Sequence, residues 1–270
     1  MSPFDGILLG AVQGITEFLP ISSSGHLILM RDILGINTSG GLAFDAVLQL
    51  ATALAVIVYF RRDIWRLIVA TVRIVIGRGA TVPKSDKTLI LALIVGTVPA
   101  VILGLLLEHA MDTLFRSALL VAVALIAGSI LFIAAERFSR KRAEAATVRQ
   151  GFWIGLFQSL ALVPGVSRSG ATISGGLLLG LTRETAARFG FLLSVPVVLG
   201  SGLKKLHDIA SSPTTDVAVL PLILGFVTAF AIGLVFISFL LRYLKDHTLY
   251  AFVWYRLALA AVVIAVTFMH

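Results

Sequence analysis

Apolar residues run along this chain in six stretches of 17 to 22 residues: 44–60, 89–107, 118–135, 185–203, 220–241 and 249–268. Each is close to the roughly 20 residues a helix needs to cross the hydrocarbon core of a bilayer. Two further apolar stretches are interrupted. In 4–30 the break is Pro20 followed by Ser22, Ser23, Ser24 and Gly25; in 151–181 it is Pro164-Gly165 followed by Ser167, Arg168, Ser169 and Gly170. Irregular backbone at membrane depth survives only where protein or a water-filled cavity surrounds it. The pattern therefore predicts an all-α integral membrane protein with about six transmembrane helices and two re-entrant, broken-helix hairpins.

The two halves share their punctuation. Gly10-x-x-Gln13 recurs as Gly155-x-x-Gln158, the two Pro/Ser/Gly breaks correspond, and Gly96 and Gly104 recur as Gly225 and Gly233. Each half reads as one hairpin and three spans, so an odd number of crossings inverts the second half. The expectation is one membrane domain, 1–270, whose halves, roughly 1–135 and 150–270, form an inverted-topology repeat with both breaks near its interface.

The loops orient this arrangement. Segment 61–87 carries seven Lys/Arg and 136–149 carries five, whereas 108–116 carries one. Basic loops stay in the cytoplasm. Alternation places 108–116 and 204–219 outside, 242–248 inside and both termini outside. The first hairpin enters from the outer face and the second from the cytoplasmic face. Segment 61–79 mixes basic residues with Ile64, Trp65, Leu67 and Ile68, and reads in part as an amphipathic helix along the inner interface.

Composition fits the same picture. The chain is 58% hydrophobic and 13% charged, with a mean hydropathy of +1.01. One water-soluble core of this size cannot hide that excess. The net charge of +8 follows from basic cytoplasmic loops, so nucleic acid is not an expected partner. With no cysteine, disulfides and thiolate-held metals are excluded. The start, Met1 to Asp5, lacks a basic segment, so the first apolar stretch is expected to be retained.

Ionisable groups inside apolar stretches mark function. Glu17 is flanked by Ile15, Thr16, Phe18 and Leu19, with Gln13 one turn earlier on the same face. His26 follows the serines, and Arg168 sits between Ser167 and Ser169. If the breaks meet, a carboxylate, an imidazole, a guanidinium and several hydroxyls converge. That set suits phosphoryl transfer: Glu17 as metal-binding acid, His26 as acid/base or nucleophile, and Arg168 as the cation for phosphate oxygens. Gly165 and Gly170 permit exposed N–H groups, and Ser169 or Thr172 is a candidate cap for the following helix. Each signal has a plainer reading. Glu17 is a buried partner for Arg168, His26 a satisfier of backbone carbonyls, and at least one of Ser22, Ser23 and Ser24 a helix cap. Asp45 and Gln49 complete a metal shell, or Asp45 caps its helix. Arg256 reaches phosphate, pairs with an acid or snorkels.

At these residues the sequence resembles the undecaprenyl-diphosphate phosphatase family of the bacitracin-resistance type. The resemblance rests on Gln13-Gly14-Ile15-Thr16-Glu17, continued through Phe18-Leu19-Pro20-Ile21-Ser22-Ser23-Ser24-Gly25-His26, and on the Pro-Gly-x-Ser-Arg-Ser-x-x-Thr stretch from Pro164 to Thr172. Gln13 takes the neutral option where the family has Glu or Gln, and Ser24 stands where many relatives have Thr. The resemblance implies hydrolysis of undecaprenyl diphosphate to the monophosphate and inorganic phosphate. That reaction recycles the lipid carrier of cell-wall synthesis and underlies bacitracin resistance. It implies a divalent cation, Mg2+ or Ca2+, held partly by Glu17, and a bacterial inner-membrane location with the site facing the periplasm. Carried over, Glu17, Ser23, His26 and Arg168 are catalytic, and Gln13, Ser22, Ser24, Ser167, Ser169, Gly170 and Thr172 bind substrate. The nucleophile is Ser23, His26 or water. The expected partners are the polyisoprenyl diphosphate and membrane lipid, with a homodimer left open. A secondary transporter or lipid flippase is the competing function, since inverted repeats with broken helices also build transporters. A scaffold protein would not explain Glu17 and Arg168 in apolar surroundings.

Overall fold

A computed structural model describes residues 1–34, 41–107, 117–140, 143–210 and 218–269. The helices are α1 (Pro3–Thr16), α2 (Ser23–Leu34), α3 (Gly41–Tyr59), α4 (Arg61–Val75), α5 (Lys84–Leu106), α6 (Ala118–Phe138), α7 (Val148–Ser159), α8 (Arg168–Leu178), α9 (Arg183–Ala210), α10 (Val219–Asp246) and α11 (Tyr250–Met269). Five are long and apolar enough to cross a membrane: α5, α6, α9, α10 and α11. The sixth predicted span is α3, which with α4 forms a pair bent by 80°. The protein is thus an all-α, multi-pass membrane protein. The predicted loop 108–116 and residues 211–217 of the loop 204–219 lie outside the described residues, as do residues 141 and 142 of the basic loop 136–149.

The spans wear the surface of a lipid-solvated bundle. On α5, Leu91, Ile94, Val98, Val101, Ile102 and Leu105 are all exposed, a pattern that water would penalise and hydrocarbon does not. Helix α4 buries Leu67 and Ala70 against Val82 and Ile90 and leaves Trp65, Ile68 and Val72 exposed. The helix is therefore amphipathic, as the sequence predicts.

The four short helices are the arms of the two broken stretches. At 1.5 Å per residue, α1 is about 21 Å long and α2, α7 and α8 are shorter, below the roughly 30 Å of a bilayer core. Two arms carry capping boxes, Ser2 with Asp5 on α1 and Thr147 with Gln150 on α7; α8 is capped by Ser167 and not by the expected Ser169 or Thr172, which already lie inside the helix that begins at Arg168. The arms lie hard against helices of the other half. A Cβ added at Gly10 would sit 2.4 Å from the Gly225 carbonyl oxygen, and one added at Gly155 would sit 1.9 Å from that of Gly96. Four of the glycines that recur in the sequence, Gly10, Gly225, Gly155 and Gly96, are therefore those where α1 meets α10 and α7 meets α5. No side chain larger than hydrogen fits between the backbones.

Both breaks use the same backbone device. Ser22 and Ser167 are the non-glycine residues with positive φ among those described, at 74° and 75°. Such a conformation costs on the order of 1–3 kcal/mol and collects at functional sites. In each, the serine hydroxyl accepts the N–H three residues on, Gly25 for Ser22 and Gly170 for Ser167. The loops are also tied to each other. Gly165 N–H donates to Ser22 Oγ at 3.1 Å, and Ser169 Oγ–H donates to the Leu19 carbonyl at 3.1 Å.

Candidate active site

The tied breaks bring Glu17 and Arg168 into direct contact, although 151 residues separate them. Arg168 Nη2 donates to Glu17 Oε1. The other carboxylate oxygen, Oε2, accepts Gln13 Nε2–H at 2.8 Å and Ser23 Oγ–H at 2.6 Å. One carboxylate thus joins residues from α1, α2 and α8. Glu17 retains 7% side-chain exposure and Arg168 21%. The pair is therefore shielded on the acid's side and open on the base's.

Beside it lies a small cavity lined by Glu17, Phe18, Arg168, Ser169, Thr172, Gly190, Phe191 and Ser194. Its rear wall is aromatic: Phe18 meets Phe191 edge-on at 5.6 Å, and Phe191 lies 6.3 Å from Phe60. Apolar walls with a few converging polar groups are the usual form of a small-molecule site. Among the described residues, Nε and Nη1 of Arg168 have no protein partner, so the guanidinium retains donors for an anion.

The remaining predicted residues divide. Ser169 and Thr172 line the cavity, though both hydroxyls already donate to carbonyls, Ser169 to Leu19 and Thr172 to Arg168 and Ser169. Ser22, Ser167 and Gly170 are buried and engaged in holding the loops. Ser24 Oγ lies 3.4 Å from Ser22 Oγ. His26 is one turn beyond Ser23 on α2 and does not line the cavity. Its Nδ1 meets the Ser22 carbonyl at 2.7 Å and its Nε2 meets the Tyr255 hydroxyl at 2.7 Å.

Two residues outside the motifs behave differently from their sequence readings. Asp45 neither caps α3 nor stands free for a metal. The helix already begins at Gly41, and Asp45 takes a two-pronged ion pair from Arg31. Arg256 reaches no acid among the described residues and does not snorkel. It is fully buried, with its guanidinium 4.8 Å above the Phe132 ring. It donates to the carbonyls of Pro20, Ala124, Leu125, Gly165 and Val166 and to Ser129 Oγ. Pro20 belongs to one break, and Gly165 and Val166 to the other, so Arg256 clasps both. A Cβ at Gly128 would sit 2.2 Å from Arg256 Nη2; glycine there admits the group. The residues that motif reading passed over are Tyr255, Gly190, Phe191 and Ser194. The signal for the last was a serine two residues before Pro196 inside an apolar span.

Comparison with known proteins places the whole chain among relatives of one family. The sequence profile of one family, described as bacitracin resistance protein BacA, matches residues 6–262. The chain is 44% identical over 271 residues to the undecaprenyl-diphosphatase of Micrococcus luteus, covering 98% of this chain and 97% of that protein. It is 44% identical over 262 residues to that of Rubrobacter xylanophilus, covering 96% of each. A third relative, the undecaprenyl-diphosphatase of Mycolicibacterium smegmatis, is 44% identical over 279 residues, covering 98% of this chain and 96% of that protein.

Proposed function

The chain belongs to the bacitracin resistance protein BacA family, and on that premise we propose that it hydrolyses undecaprenyl diphosphate to undecaprenyl phosphate and inorganic phosphate. The observation that carries the reading is the shared carboxylate. Glu17 holds a serine hydroxyl on one oxygen and a phosphate-competent arginine on the other, at the edge of a cavity. A nucleophile within 2.6–3.2 Å of its base, beside a cation, is the arrangement that acyl and phosphoryl transfer require.

In this reading Arg168 grips the terminal phosphate with the donors that Glu17 leaves free. Ser23 Oγ attacks the terminal phosphorus as its proton passes to Glu17 Oε2. The Ser23 O–P bond forms while the anhydride P–O bond breaks, and undecaprenyl phosphate leaves. Water then displaces Ser23 from phosphorus, with His26 managing the water proton, and Ser23 recovers its own hydrogen. Gln13 fixes the carboxylate from behind. Ser169 and Thr172 hold the Arg168 turn beside the cavity.

A divalent cation, Mg2+ or Ca2+, fits the donors present. Gln13 Oε1 is buried without a hydrogen-bond partner, and with the Glu17 carboxylate and Ser23 hydroxyl it makes an all-oxygen set for a hard ion. No three His, Cys, Asp or Glu side chains cluster among the described residues. Substrate phosphates would supply the other ligands, the common habit of Mg2+. When bound, the ion would neutralise phosphate charge.

The loop charges support an inner-membrane location with 61–87 and 136–149 cytoplasmic and the site open to the periplasm. The cross-half contacts Gly10–Gly225 and Gly155–Gly96, with the matched Ser22 and Ser167, support an inverted repeat of halves near 1–135 and 150–270. The substrate is an amphiphile of the membrane, and the product serves as carrier in cell-wall synthesis. The test is phosphate release from undecaprenyl or farnesyl diphosphate by the purified protein in detergent, with and without a chelator. Absence of release with Mg2+ or Ca2+ present would reject the activity. Release undiminished by chelation would reject the cation.

A further inference from the structure

The His26 ring has both nitrogens engaged, and the partners fix which one bears hydrogen. The Ser22 carbonyl only accepts, so Nδ1 at 2.7 Å carries the proton. In the neutral ring Nε2 is then a bare acceptor, and the Tyr255 hydroxyl at 2.7 Å donates to it. The two rings lie nearly parallel, 7° apart with centroids at 5.6 Å. Tyr255 comes from α11, 229 residues away in sequence, and its side chain is half-exposed. A phenol in that setting ordinarily turns freely. Here its backbone is held by the next residue, Arg256, whose guanidinium is bonded to both breaks and to α6.

We propose that Tyr255 is a positioning residue that holds His26 in the Nδ1–H tautomer and, because its hydroxyl occupies the one lone pair of Nε2, is the route by which a proton reaches that nitrogen. This rests on the role given to His26 in the proposed reaction. A phenol suits the task because it both donates and accepts. While Nε2 is bare, Tyr255 O–H donates to it. When a proton is released beside it, the Tyr255 O–H hydrogen passes to Nε2 as the phenol oxygen takes the released proton, and the same oxygen then accepts from Nε2–H. The ring is thus oriented in both protonation states, with the Ser22 carbonyl on Nδ1 in the place that a buried carboxylate holds behind a histidine in other hydrolases. The charged and titratable groups around the ring are few. Arg256 and Tyr255 approach from α11, and Glu17 lies beyond Ser23. From α6 the neighbour at Gly25 is Val121, which carries no charge.

The experiment uses full-length protein with 15N-labelled histidine in lipid nanodiscs, and His26→Asn identifies the His26 signals. In the parent protein the His26 ring should show a protonated Nδ1 and a hydrogen-bonded, unprotonated Nε2. Tyr255→Phe keeps the stacked ring and removes only the hydroxyl. It should move the Nε2 resonance and lower kcat for farnesyl diphosphate about tenfold, the worth of one oriented hydrogen bond. KM and melting temperature should stay unchanged. Site-specific fluorotyrosine at position 255, which preserves shape and sharpens the donor, should move the same resonance even if Tyr255→Phe folds poorly. An unmoved Nε2 resonance in both variants, or a folded Tyr255→Phe with kcat within about twofold of the parent, overturns the proposal. If the parent protein releases no phosphate, the hydrolase reading falls first. A resonance that still moves would then record a contact without a catalytic part, which also overturns the positioning role.

Discussion

Arg168→Ala separates a phosphate-gripping arginine from one that merely neutralises Glu17. The structure sets the two costs apart. Truncation leaves the Glu17 carboxylate, 7% exposed, without its cation. Removing one partner of a well-buried pair costs about 3–5 kcal/mol. Arg168 is 21% exposed, however, and Glu17 keeps hydrogen bonds from Gln13 and Ser23. Discounted for that, the loss of stability should be about 1–3 kcal/mol. The catalytic cost is of another size. Cations that stabilise a transferring phosphoryl group are worth about 10³–10⁵ in rate, which is roughly 4–7 kcal/mol. Adding Glu17→Gln removes the stranded charge and retains the shape, so the double variant should regain most of the lost melting temperature. It should regain no turnover. Arg168→Lys should recover little, because a lysine lacks the planar fork. The assay is phosphate release from farnesyl diphosphate beside a thermal melt in the same detergent. A folded Arg168→Ala with turnover within tenfold of the parent would refute the reasoning, as would a double variant whose activity returns with its stability.

Gly155→Ala should destabilise by about 1–3 kcal/mol or more through overpacking, since its Cβ meets the Gly96 carbonyl at 1.9 Å; a melting temperature equal to that of the parent would remove the close approach of α7 and α5. Gly190→Ala should act on the site instead, because its Cβ would lie 2.5 Å from Thr172 Oγ1. The expected outcome is a several-fold change in kcat/KM with a smaller shift in melting temperature, read by the two assays above. The orientation can be checked in this cysteine-free chain with Val75→Cys and Ala143→Cys. Neither should be labelled by a membrane-impermeant thiol reagent added to intact cells, and labelling of either would reverse the assigned sides.

How far the sequence could be read depended on the range of the interaction. The spans were legible because lipid selects them by composition alone, one stretch at a time. The breaks were legible because proline, glycine and serine mark a helix end locally. The meeting of Glu17 with Arg168 could be inferred only because the two halves share punctuation that implies a common interface. Three features had no such handle. Tyr255 reaches His26 from the last helix, and nothing near Tyr255 in sequence marks it out from Tyr250 or Trp254. Gly190 and Ser194 belong to a span that composition assigns to lipid and core, so their place on the cavity wall needed the fold. The apolar pattern starts the helix near residue 44, which makes Asp45 a cap or a metal ligand; the helix begins at Gly41, which puts Asp45 in its second turn, opposite Arg31.

The two arginines of the site show why a general rule about buried charge cannot assign roles. Both stand in apolar stretches, and burial asks each for compensation. Arg168 is compensated by a carboxylate and keeps free donors beside a cavity. Arg256 is compensated by five backbone carbonyls, a hydroxyl and an aromatic face. Broken helices supply three of those carbonyls, Pro20, Gly165 and Val166, because carbonyls at a break lack the N–H that would bond them in a continuous helix; Ala124 and Leu125 lie within α6. The breaks thus supply acceptors for Arg256, and Arg256 in turn holds the breaks together, which places Glu17 against Arg168. With Glu17 and Arg168 cancelling, Arg256 leaves the cluster with a net positive charge that no protein acid offsets among the described residues. A diphosphate carrying roughly two to three negative charges would meet a field of the right sign from behind the loops. It would still exceed what one guanidinium can balance, and that remaining charge is the physical case for a divalent cation arriving with the substrate.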